Sequence, residues 1–262
     1  MTAPDLRVLR RSDLPVRALL EQAGRVFRDE FPNDSGNACF GVACEGGRFF
    51  VKHSDRLDRI AALCCVEQLY ARVPHPSLPP LRNGFPTPDG YALVFDWVDG
   101  EHYRGETVRE RFAALPVTEK LHAFETVLDL HVQLAAAGYV AEDLYDGCFL
   151  YDFDARRLYV CDLDEYHAGP FVLDRGRTFG STRFMAPEEW VRGSVIDQRT
   201  TVYSLARTAA VLLGDRAGSP ESFCGPPAMQ AIIDRATHQD PKERFPSVDA
   251  FARAWRKTAT PG

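Results

Sequence analysis

The spacing of apolar and polar residues predicts a strand-rich first half of the chain. Two short apolar runs, NACFGVACE and RFFVKHS, meet at Glu45-Gly46-Gly47, which is a hairpin signal. Residues 12–31 carry apolar side chains three and four positions apart, the spacing of one helix face. The elements predicted before residue 100 are a helix over 12–31, strands over 37–45 and 48–54, a helix over 55–73 that Pro74 closes, a strand after Leu78 and a strand over 91–98.

After Asp99-Gly100 the pattern becomes mainly helical. The stretch TEKLHAFETVLDLHVQLAAAG places apolar residues at helical spacing and stops at Gly138, which predicts a helix over 118–138. Similar patterns predict helices over 200–214, 226–238 and 246–257. The chain is therefore predicted to be an α+β protein whose first hundred residues are rich in strands and whose remainder is mostly helical.

The composition is that of an ordinary globular protein, and it narrows the classes of function. Hydrophobic residues make up 45% of the 262 residues, which is enough for a substantial core. The formal net charge of −6 disfavours a nucleic-acid-binding surface, because such surfaces need clustered Lys and Arg. No apolar run approaches the roughly 20 residues that span a bilayer, and MTAPDLRVLRRSD lacks the apolar core of a secretory signal. We expect a cytoplasmic protein that binds neither nucleic acid nor membrane, and the sequence leaves its oligomeric state open.

Seven cysteines lie at positions 39, 44, 64, 65, 148, 161 and 224. Their number is odd and no C-x-x-C pair occurs among them, so neither a zinc site nor a disulfide framework is indicated. We expect buried, reduced thiols.

Two acidic turns enclose strand-like segments in GYVAEDLYDGCFLYDFDARRLYVCDLDEY. Asp143 lies in the first turn, and Asp162 lies nineteen positions later in the second. One carboxylate can orient an acceptor hydroxyl, and another can ligate Mg²⁺, a hard ion that prefers oxygen. Upstream, Lys52 follows three apolar strand residues, where a lone charge needs a reason. These are the residue types that phosphoryl transfer uses.

The segment GSTRFMAPEEW resembles the end of a protein-kinase activation segment, where an A-P-E triplet is expected; here it is Ala186-Pro187-Glu188. It follows Lys52, Asp143 and Asp162 in the order that the kinase motifs take. On these motifs the chain resembles the eukaryotic-like (bacterial) serine/threonine protein kinases over residues 35–257, nearly its whole length.

The resemblance implies a bilobal fold. Its β-rich N-lobe would span residues 35–99 and its mostly helical C-lobe residues 100–262, with residues 1–34 as a helical extension outside the family's fold. It also implies ATP as phosphoryl donor, Mg²⁺ (or Mn²⁺) as the metal, and a hydroxyl of an unknown protein substrate as acceptor.

The resemblance also implies roles for individual residues. Asp143 would be the catalytic aspartate that orients the acceptor hydroxyl. Lys52 would bind the phosphates and pair with Glu67, and Asp162 would bind the metal. Contacts with ATP are implied for Gly36, Ala38, Gly41, Lys52, Phe95 (the gatekeeper), Asp96 and Val98. A buried structural ion pair is implied between Glu188 and Arg244. Lys52, Asp143 and Asp162 are expected to converge on one nucleotide.

The sequence departs from the family in its glycine-rich loop. The segment from Ser35 to Val42 keeps only two glycines, and it is close to Lys52 in sequence. This short spacing resembles aminoglycoside phosphotransferases more than typical protein kinases. We expect the phosphates to be covered by backbone amides around Gly36 to Ala38.

The catalytic loop departs as well. Ala141 and Glu142 replace the His and Arg of the H-R-D motif, and Thr201 stands where an Asp usually supports this loop. We expect both ends of that contact to be lost and the loop to be remodelled. Because Glu142 would repel phosphate, we expect no switching by phosphorylation of the nearby hydroxyls, which are Thr178, Ser181 and Thr182.

Two further replacements affect the metal. Cys148 stands where the family has the Asn that binds a second magnesium, and thiol sulfur is a poor ligand for a hard ion. Asp164 replaces the glycine of D-F-G, and it would point the same way as Asp162 in an extended segment. We hypothesise that Asp164 supplies the missing oxygen, with Asp146 as a weaker candidate. A paired acid of this kind is similar to that of choline kinases.

Three functions remain open on the sequence alone. The first is a protein serine/threonine kinase. The second is a pseudokinase, a nucleotide-binding module with little or no turnover, which Ala141, Glu142 and Cys148 favour. The third is a small-molecule phosphotransferase, similar to aminoglycoside or choline kinases, which the short loop before Lys52 favours.

Overall fold

The computed structural model describes residues 3–30 and 36–259 of the chain. The chain divides into two compact units, Met1–Asp99 (unit 1) and Gly100–Gly262 (unit 2). Across the described residues it forms seven α-helices and twelve β-strands, so the predicted α+β class is confirmed.

Unit 1 is built on one antiparallel sheet. Its elements are α1 (Val16–Ala23), β1 (Gly24–Glu30), β2 (Ala38–Cys44), β3 (Gly47–Ser54), α2 (Leu57–Arg72), β4 (Leu81–Thr87) and β5 (Gly90–Asp96). The five strands lie in the order β1-β2-β3-β5-β4. The hairpin predicted at Glu45-Gly46-Gly47 joins β2 to β3, and the helix predicted over 55–73 is α2.

The register of the sheet assigns Lys52 to the face that α2 covers. Residues directly opposite one another in an antiparallel sheet project to the same face, and the next row projects to the other. Val51 and its partner Val94 belong to the cluster that includes the buried side of α1. Lys52 and its partner Leu93 form the next row, and Leu93 packs in a cluster with Leu63 of α2. Lys52 therefore projects away from α1.

The helix predicted over 12–31 is correct only for α1, because the chain continues as β1 from Gly24. The pairing of β1 with β2 shifts between Val26 and Arg28, so Phe27 is the extra residue of an irregular strand. Val26 packs against the α1 cluster, whereas the Phe27 ring lies edge-on to Trp97 with 4.9 Å between centroids. In the sequence, the adjacent apolar residues Val26 and Phe27 continue the helical spacing of α1, although they belong to β1. The predicted helical extension thus contains a strand of the sheet.

The segment before β1 is fastened to the sheet by hydrogen bonds as well as by apolar packing. The carboxylate of Asp89, in the turn between β4 and β5, accepts from the N–H of Val16 at 3.0 Å and caps α1. Asn83 Nδ2 donates to the carbonyls of Leu6 and Leu9 at 2.9 and 2.8 Å. Residues before β1 are therefore part of the scaffold of unit 1.

Unit 2 is mostly helical. Its helices are α3 (Glu106–Ala113), α4 (Val117–Ala136), α5 (Gln198–Leu212), α6 (Pro227–Ala236) and α7 (Val248–Ala259). Its strands are β6 (Glu101–His102), β7 (Tyr139–Val140), β8 (Phe149–Asp152), β9 (Arg157–Val160), β10 (His167–Ala168), β11 (Phe171–Val172) and β12 (Val195–Ile196). They form three small sheets, β6-β8-β9, β7-β10 and β11-β12.

The helices predicted in unit 2 are confirmed within a few residues, and the strand-like segments between the acidic turns are β8 and β9, while α3 and the two-residue strands were not predicted. The core of the unit lies between α4 and α7, where the rings of Phe124 and Trp255 are 4.7 Å apart. The two-residue strands escape the pattern because they are shorter than a period-two alternation needs. Among the described residues, no helix combines the length and low polarity needed to cross a bilayer.

All seven cysteines are free thiols, as predicted. The prediction that they are buried is confirmed for Cys39 and Cys148. It is wrong for the others, since Cys44, Cys64 and Cys161 are half-buried and Cys65 and Cys224 are exposed. Cys65 lies on the outer side of α2, while its neighbour Leu63 is buried, because helix neighbours two positions apart face different directions.

A buried ion pair holds the end of the A-P-E triplet to the C-terminal part of unit 2. The guanidinium of Arg244 donates to both carboxylate oxygens of Glu188, at 2.7 and 2.9 Å. The Arg244 side chain is fully buried, and its other donors bind the backbone carbonyls of His238, Arg199 and Gln239. Because every side of the guanidinium is satisfied, the cost of burying the charge is offset.

Glu188→Gln should lower the free energy of unfolding by about 3 kcal/mol or more, because it leaves the buried Arg244 cation opposite a neutral amide. Urea denaturation followed by fluorescence measures this loss. Asp249→Asn is the control, since it breaks the exposed Arg253–Asp249 pair and should cost less than about 0.5 kcal/mol. Equal losses in the two variants would contradict the structural role of the buried pair.

Candidate active site

In unit 1, Lys52 is a buried charge near the middle of the sheet. Only 7% of the residue is exposed, and its row contains Cys39 on β2 and Leu93 on β5. Lysine is rarely buried unless its ammonium group has a partner, so this position is not that of a surface charge.

Glu67 lies on α2 and faces the same side of the sheet as Lys52. Its carboxylate lies against Gly84 of β4, where a Cβ atom would come within 2.8 Å of Oε1. Gly84 of β4 lies opposite Leu93 of β5, and Leu93 in turn lies opposite Lys52 of β3. The carboxylate accepts a hydrogen bond from the Tyr91 hydroxyl at 2.8 Å. Pairing of Glu67 with Lys52 stays a prediction.

The residues predicted to cover the phosphates lie at the start of β2. Gly36 has a φ of +79°, a left-handed conformation that favours glycine, and Ala38 is buried. Residues 31–35, which include Ser35 of the predicted loop, lie outside the described residues. Gly41 has a packing role: a Cβ there would lie 2.7 Å from the Phe27 ring and 2.9 Å from the Trp97 ring. The aromatic pair therefore requires glycine at position 41.

The residues predicted to face adenine lie at the end of β5 and just after it. Phe95, the predicted gatekeeper, is buried with Leu63 and Val66 of α2, and its ring is 5.5 Å from that of Tyr70. The N–H of Asp96 donates to the carbonyl of Pro80 at 2.9 Å, and its carboxylate pairs with Arg82. Val98 is half-buried.

In unit 2, two strand pairings bring the acidic turns together. The antiparallel pair β7-β10 places Val140 opposite His167, so the residues after β7 run beside those before β10. The hairpin β8-β9 begins with a backbone hydrogen bond of 2.8 Å from Cys161 to Cys148. Asp143 lies shortly after β7, and Asp162 follows Cys161 at the open end of the β8-β9 hairpin. Both turns therefore belong to one region of unit 2.

Both predicted acids have unusual backbone conformations. Asp143 and Asp162 each have a φ of 62°, and Arg156 is the third non-glycine residue with positive φ among those described. A left-handed conformation costs a non-glycine residue free energy and is common at functional sites. The coincidence of this conformation at the two predicted acids marks this region of unit 2 as the candidate site.

Asp143 is a poorly solvated carboxyl group surrounded by negative charge. Burial, and then the charges of Asp162, Glu165, Glu142 and Asp164, raise the pKa of Asp143 from 3.8 to about 7. Its Oδ1 atom is buried and has no hydrogen-bond partner. A proton or a nearby cation would relieve this repulsion, so Asp143 has the properties of a group that exchanges protons near neutral pH.

The two predicted metal ligands flank this carboxyl group. Asp162 is exposed and Asp164 is half-buried, and the charge of each raises the pKa of Asp143. Within residues 3–30 and 36–259, no group of three or more His, Cys, Asp or Glu side chains is arranged to hold a metal ion. The role of Asp164 as a second ligand stays a hypothesis.

Cys148 supports the backbone of the Asp143 turn. Its thiol donates to the carbonyl oxygen of Asp143 at 3.2 Å. Burial, and then the charges of Asp162 and Asp143, raise the pKa of Cys148 well above its ordinary value, so the thiol is neutral. Cys148 therefore holds the turn as a hydrogen-bond donor.

Asp146, the weaker candidate for a metal ligand, is already paired. The residue is buried, and Oδ2 accepts from the guanidinium of Arg183 at 2.6 Å. Its other oxygen is buried without a hydrogen-bond partner. Asp146 is thus an anchor for Arg183.

The expected loss of support at the catalytic loop is wrong. Thr201 on α5 accepts a hydrogen bond from the N–H of Ala141 at 3.1 Å. The contact joins a side-chain hydroxyl to a backbone N–H, which any residue except proline offers at position 141.

The sequence did not reveal the partners of Glu142. Its side chain is fully buried and accepts hydrogen bonds from His167 Nε2, from the guanidinium of Arg175 and from the N–H of Phe179. Burial disfavours the charged form, but these hydrogen bonds outweigh it and hold the pKa of Glu142 below its ordinary value. The sequence shows arginines at 175 and 183 and acids at 142 and 146, but no local pattern pairs them.

Comparison with known proteins does not assign the chain to a family. No protein-family model matches it. No curated protein matches it either. The candidate site is therefore argued from its own geometry.

Asp143→Asn should change how stability depends on pH. Because folding raises the pKa of Asp143 to about 7, the free energy of unfolding should fall as pH rises from about 4 to about 7. The Asn variant has no ionisable group at this position. Its free energy of unfolding, measured relative to that of the wild type, should therefore rise as the pH rises over that range. Urea denaturation at a series of pH values measures the difference.

Glu189 does not obscure this measurement. Burial also raises the pKa of Glu189 to about 7, but Glu189 is present in both proteins and its contribution cancels in the difference. Parallel stability curves for wild type and Asp143→Asn between pH 4 and pH 8 would contradict the raised pKa of Asp143.

Proposed function

We propose that the protein is an ATP-dependent phosphotransferase of the protein-kinase type, which transfers the γ-phosphate of ATP to a serine or threonine hydroxyl of a protein. The observation that carries the proposal is the coupling of Asp143 and Asp162. Both have left-handed backbones, and the charge of one raises the pKa of the other. In this proposal Asp143 orients the acceptor hydroxyl and Asp162 binds the metal, a pairing that protein kinases use for phosphoryl transfer.

Asp143 would orient the acceptor hydroxyl. A carboxyl group with a pKa near 7 is poised to accept a proton at neutral pH, and it ionises more readily when a cation approaches. Its turn is held by the Cys148 thiol and by Thr201, so its carboxylate has a supported position.

Asp162 and Asp164 would hold Mg²⁺ or Mn²⁺. The fit rests on the donor set, since carboxylates are the ligands that these ions prefer, and on the unrelieved negative charge around Asp143. When bound, the ion would offset the charge of the ATP phosphates, whose oxygens complete its coordination.

Unit 1 would supply the nucleotide contacts. The buried Lys52 would bind the phosphates, and the residues after the buried Phe95 would present backbone groups to adenine. A sheet-based unit followed by a mostly helical unit is compatible with the bilobal fold of kinases.

A protein acceptor is favoured over a small molecule. The segment from Gly180 to Met185 corresponds to the part of the kinase fold against which a peptide lies. It precedes Glu188, whose buried pair with Arg244 gives this region a fixed base. Small-molecule kinases usually lack this combination.

One observation favours the pseudokinase alternative. A Cβ at Gly180 would lie 2.9 Å from Oδ1 of Asp143, so the backbone at Gly180 covers that oxygen. The buried thiol of Cys148 does not replace the family's metal-binding amide. A nucleotide-binding module without turnover would have the same Lys52 and the same acids.

Asp143→Asn and Asp162→Asn should each reduce the transfer of label from γ-labelled Mg-ATP to generic protein acceptors by about 10²-fold or more. Asp154→Asn is the matched control, since this acid is exposed in the turn between β8 and β9 and should leave the rate unchanged. Autoradiography of purified proteins measures the transfer.

The same experiment separates the alternatives. Nucleotide binding without transfer in the wild type supports the pseudokinase and rejects the kinase. ATP consumption that appears only when a metabolite with a hydroxyl or amine is added supports a small-molecule phosphotransferase. Label transfer that persists in both Asp variants would reject the assigned roles.

Asp164→Ala should abolish metal-dependent turnover, because it removes the oxygen proposed to replace the family's amide. Cys148→Ala should be mild, because the lost hydrogen bond is a weak thiol donor to the Asp143 carbonyl. Turnover measured against the Mg²⁺ concentration gives the ranking. A larger loss in Cys148→Ala than in Asp164→Ala would overturn the hypothesis.

A further inference from the structure

The chain between residues 175 and 183 lies against the Asp143 turn, and two acids of that turn hold its two ends. We call residues 175–183 the cover segment. Its first residue, Arg175, pairs with Glu142, and its last residue, Arg183, pairs with Asp146. The two acids lie before and after Asp143 in sequence, so both ion pairs belong to the loop that carries the candidate site.

The contact at Glu142 joins three elements. Glu142 binds Arg175 of the cover segment and His167 of β10, and it accepts the N–H of Phe179 at 2.9 Å. The Arg175 guanidinium also lies 4.5 Å from the ring centroid of Phe179. Because the carboxylate is fully buried, these donors are its only compensation among the contacts of the described residues, and removing one leaves a poorly compensated charge.

The contact at Asp146 is equally enclosed. The Asp146 side chain is 2% exposed, and Arg183 donates to it at 2.6 Å. Arg183 also donates to the carbonyl of Arg216 at 2.6 Å, and its own carbonyl accepts from Arg207. The far end of the cover segment is thereby fixed to the Asp143 turn and to the loop after α5.

Between its ends, the cover segment touches the candidate site. Gly180 has a φ of +117°, and a Cβ there would lie 2.9 Å from Oδ1 of Asp143. Thr178 is buried and donates to Glu189 at 2.9 Å, so its hydroxyl is enclosed by protein. The segment therefore reaches its position through charges and hydrogen bonds already present in the unmodified chain.

We propose that Glu142 and Asp146 are positioning residues that anchor the cover segment through Arg175 and Arg183, so that the surroundings of Asp143 are assembled without covalent modification. The consequence for activity rests on the proposed phosphotransferase function, whereas the anchoring itself does not. A phosphate added to this segment would compete with Glu142 and Asp146 for Arg175 and Arg183, so modification would oppose the arrangement.

The test removes one cation at a time. Arg175→Met and Arg183→Met keep much of the apolar stem and lose the charge, and Arg175→Lys restores a cation at the first position. Arg177→Met is the matched control, because Arg177 is exposed over the ring of Trp190 and no acid among the described residues pairs with it. Hydrogen exchange resolved by residue measures the Phe179 amide, and exchange in α4 and α7 reports whether the fold is retained.

We expect the Phe179 amide to exchange about tenfold faster or more in Arg175→Met, at an unchanged rate in Arg177→Met, and at an intermediate rate in Arg175→Lys. Phosphoryl transfer should fall about tenfold in the Arg175→Met/Arg183→Met double variant. It should be unchanged in wild-type protein that has been treated with phosphatase.

The outcomes separate the anchor from the function. Equal exchange in Arg175→Met and Arg177→Met, or transfer that phosphatase treatment abolishes, would overturn the proposal. If the wild type transfers no phosphate, the function fails, but faster exchange in Arg175→Met still supports the anchor. If exchange in α4 and α7 also rises in Arg175→Met, exchange of the Phe179 amide is compared between Arg175→Lys and Arg177→Met instead. Faster exchange in Arg175→Lys then supports the anchor, and equal exchange overturns it.

Discussion

The structure of unit 2 depends on how it manages negative charge around Asp143. The charges of Glu142, Asp162, Asp164 and Glu165 all act on the poorly solvated carboxyl group of Asp143, and burial of that group strengthens the repulsion. An uncompensated buried charge is costly, so each acid needs a cation, a set of donors or a proton. The chain meets this need differently at each position, and these differences give the region its chemical character.

Glu142 and Asp146 are neutralised by arginines, and they act as structural anchors. Asp143 has no such cation among the described ion pairs, and burial together with the neighbouring acids raises its pKa to about 7. The loop therefore contains two kinds of acid. Glu142 and Asp146 hold the backbone through their arginines, whereas Asp143 has no cation among the described ion pairs. Neutral groups complete the support, since Cys148 and Thr201 bind the loop without adding charge.

The sequence predicted the long elements and the identity of the acidic turns, because both depend on local pattern. The helices α2, α4, α5, α6 and α7 all follow helical spacing, and Asp143 and Asp162 lie in turns next to short strands. It could not predict β1, because Val26 and Phe27 continue the helical spacing of α1 and so hide the residue at which the strand begins. Nor could it predict that Arg175 meets Glu142, since that contact joins residues 33 positions apart through the pairing of β7 and β10. Contacts of this kind are set by tertiary packing, which no local pattern records.

The place of β1 also affects where a working fragment of this protein can begin. The N-lobe predicted from the sequence starts at residue 35, which invites truncation at that point. Such a fragment would lack α1 and β1, and β2, whose residues from Ala38 to Val42 are buried, would become the edge of the sheet. An apolar edge strand with open backbone groups pairs readily with other chains, so the shortened fragment would tend to aggregate. The N-terminal residues therefore protect this side of the sheet from pairing with other chains, whatever chemistry the rest of the chain performs.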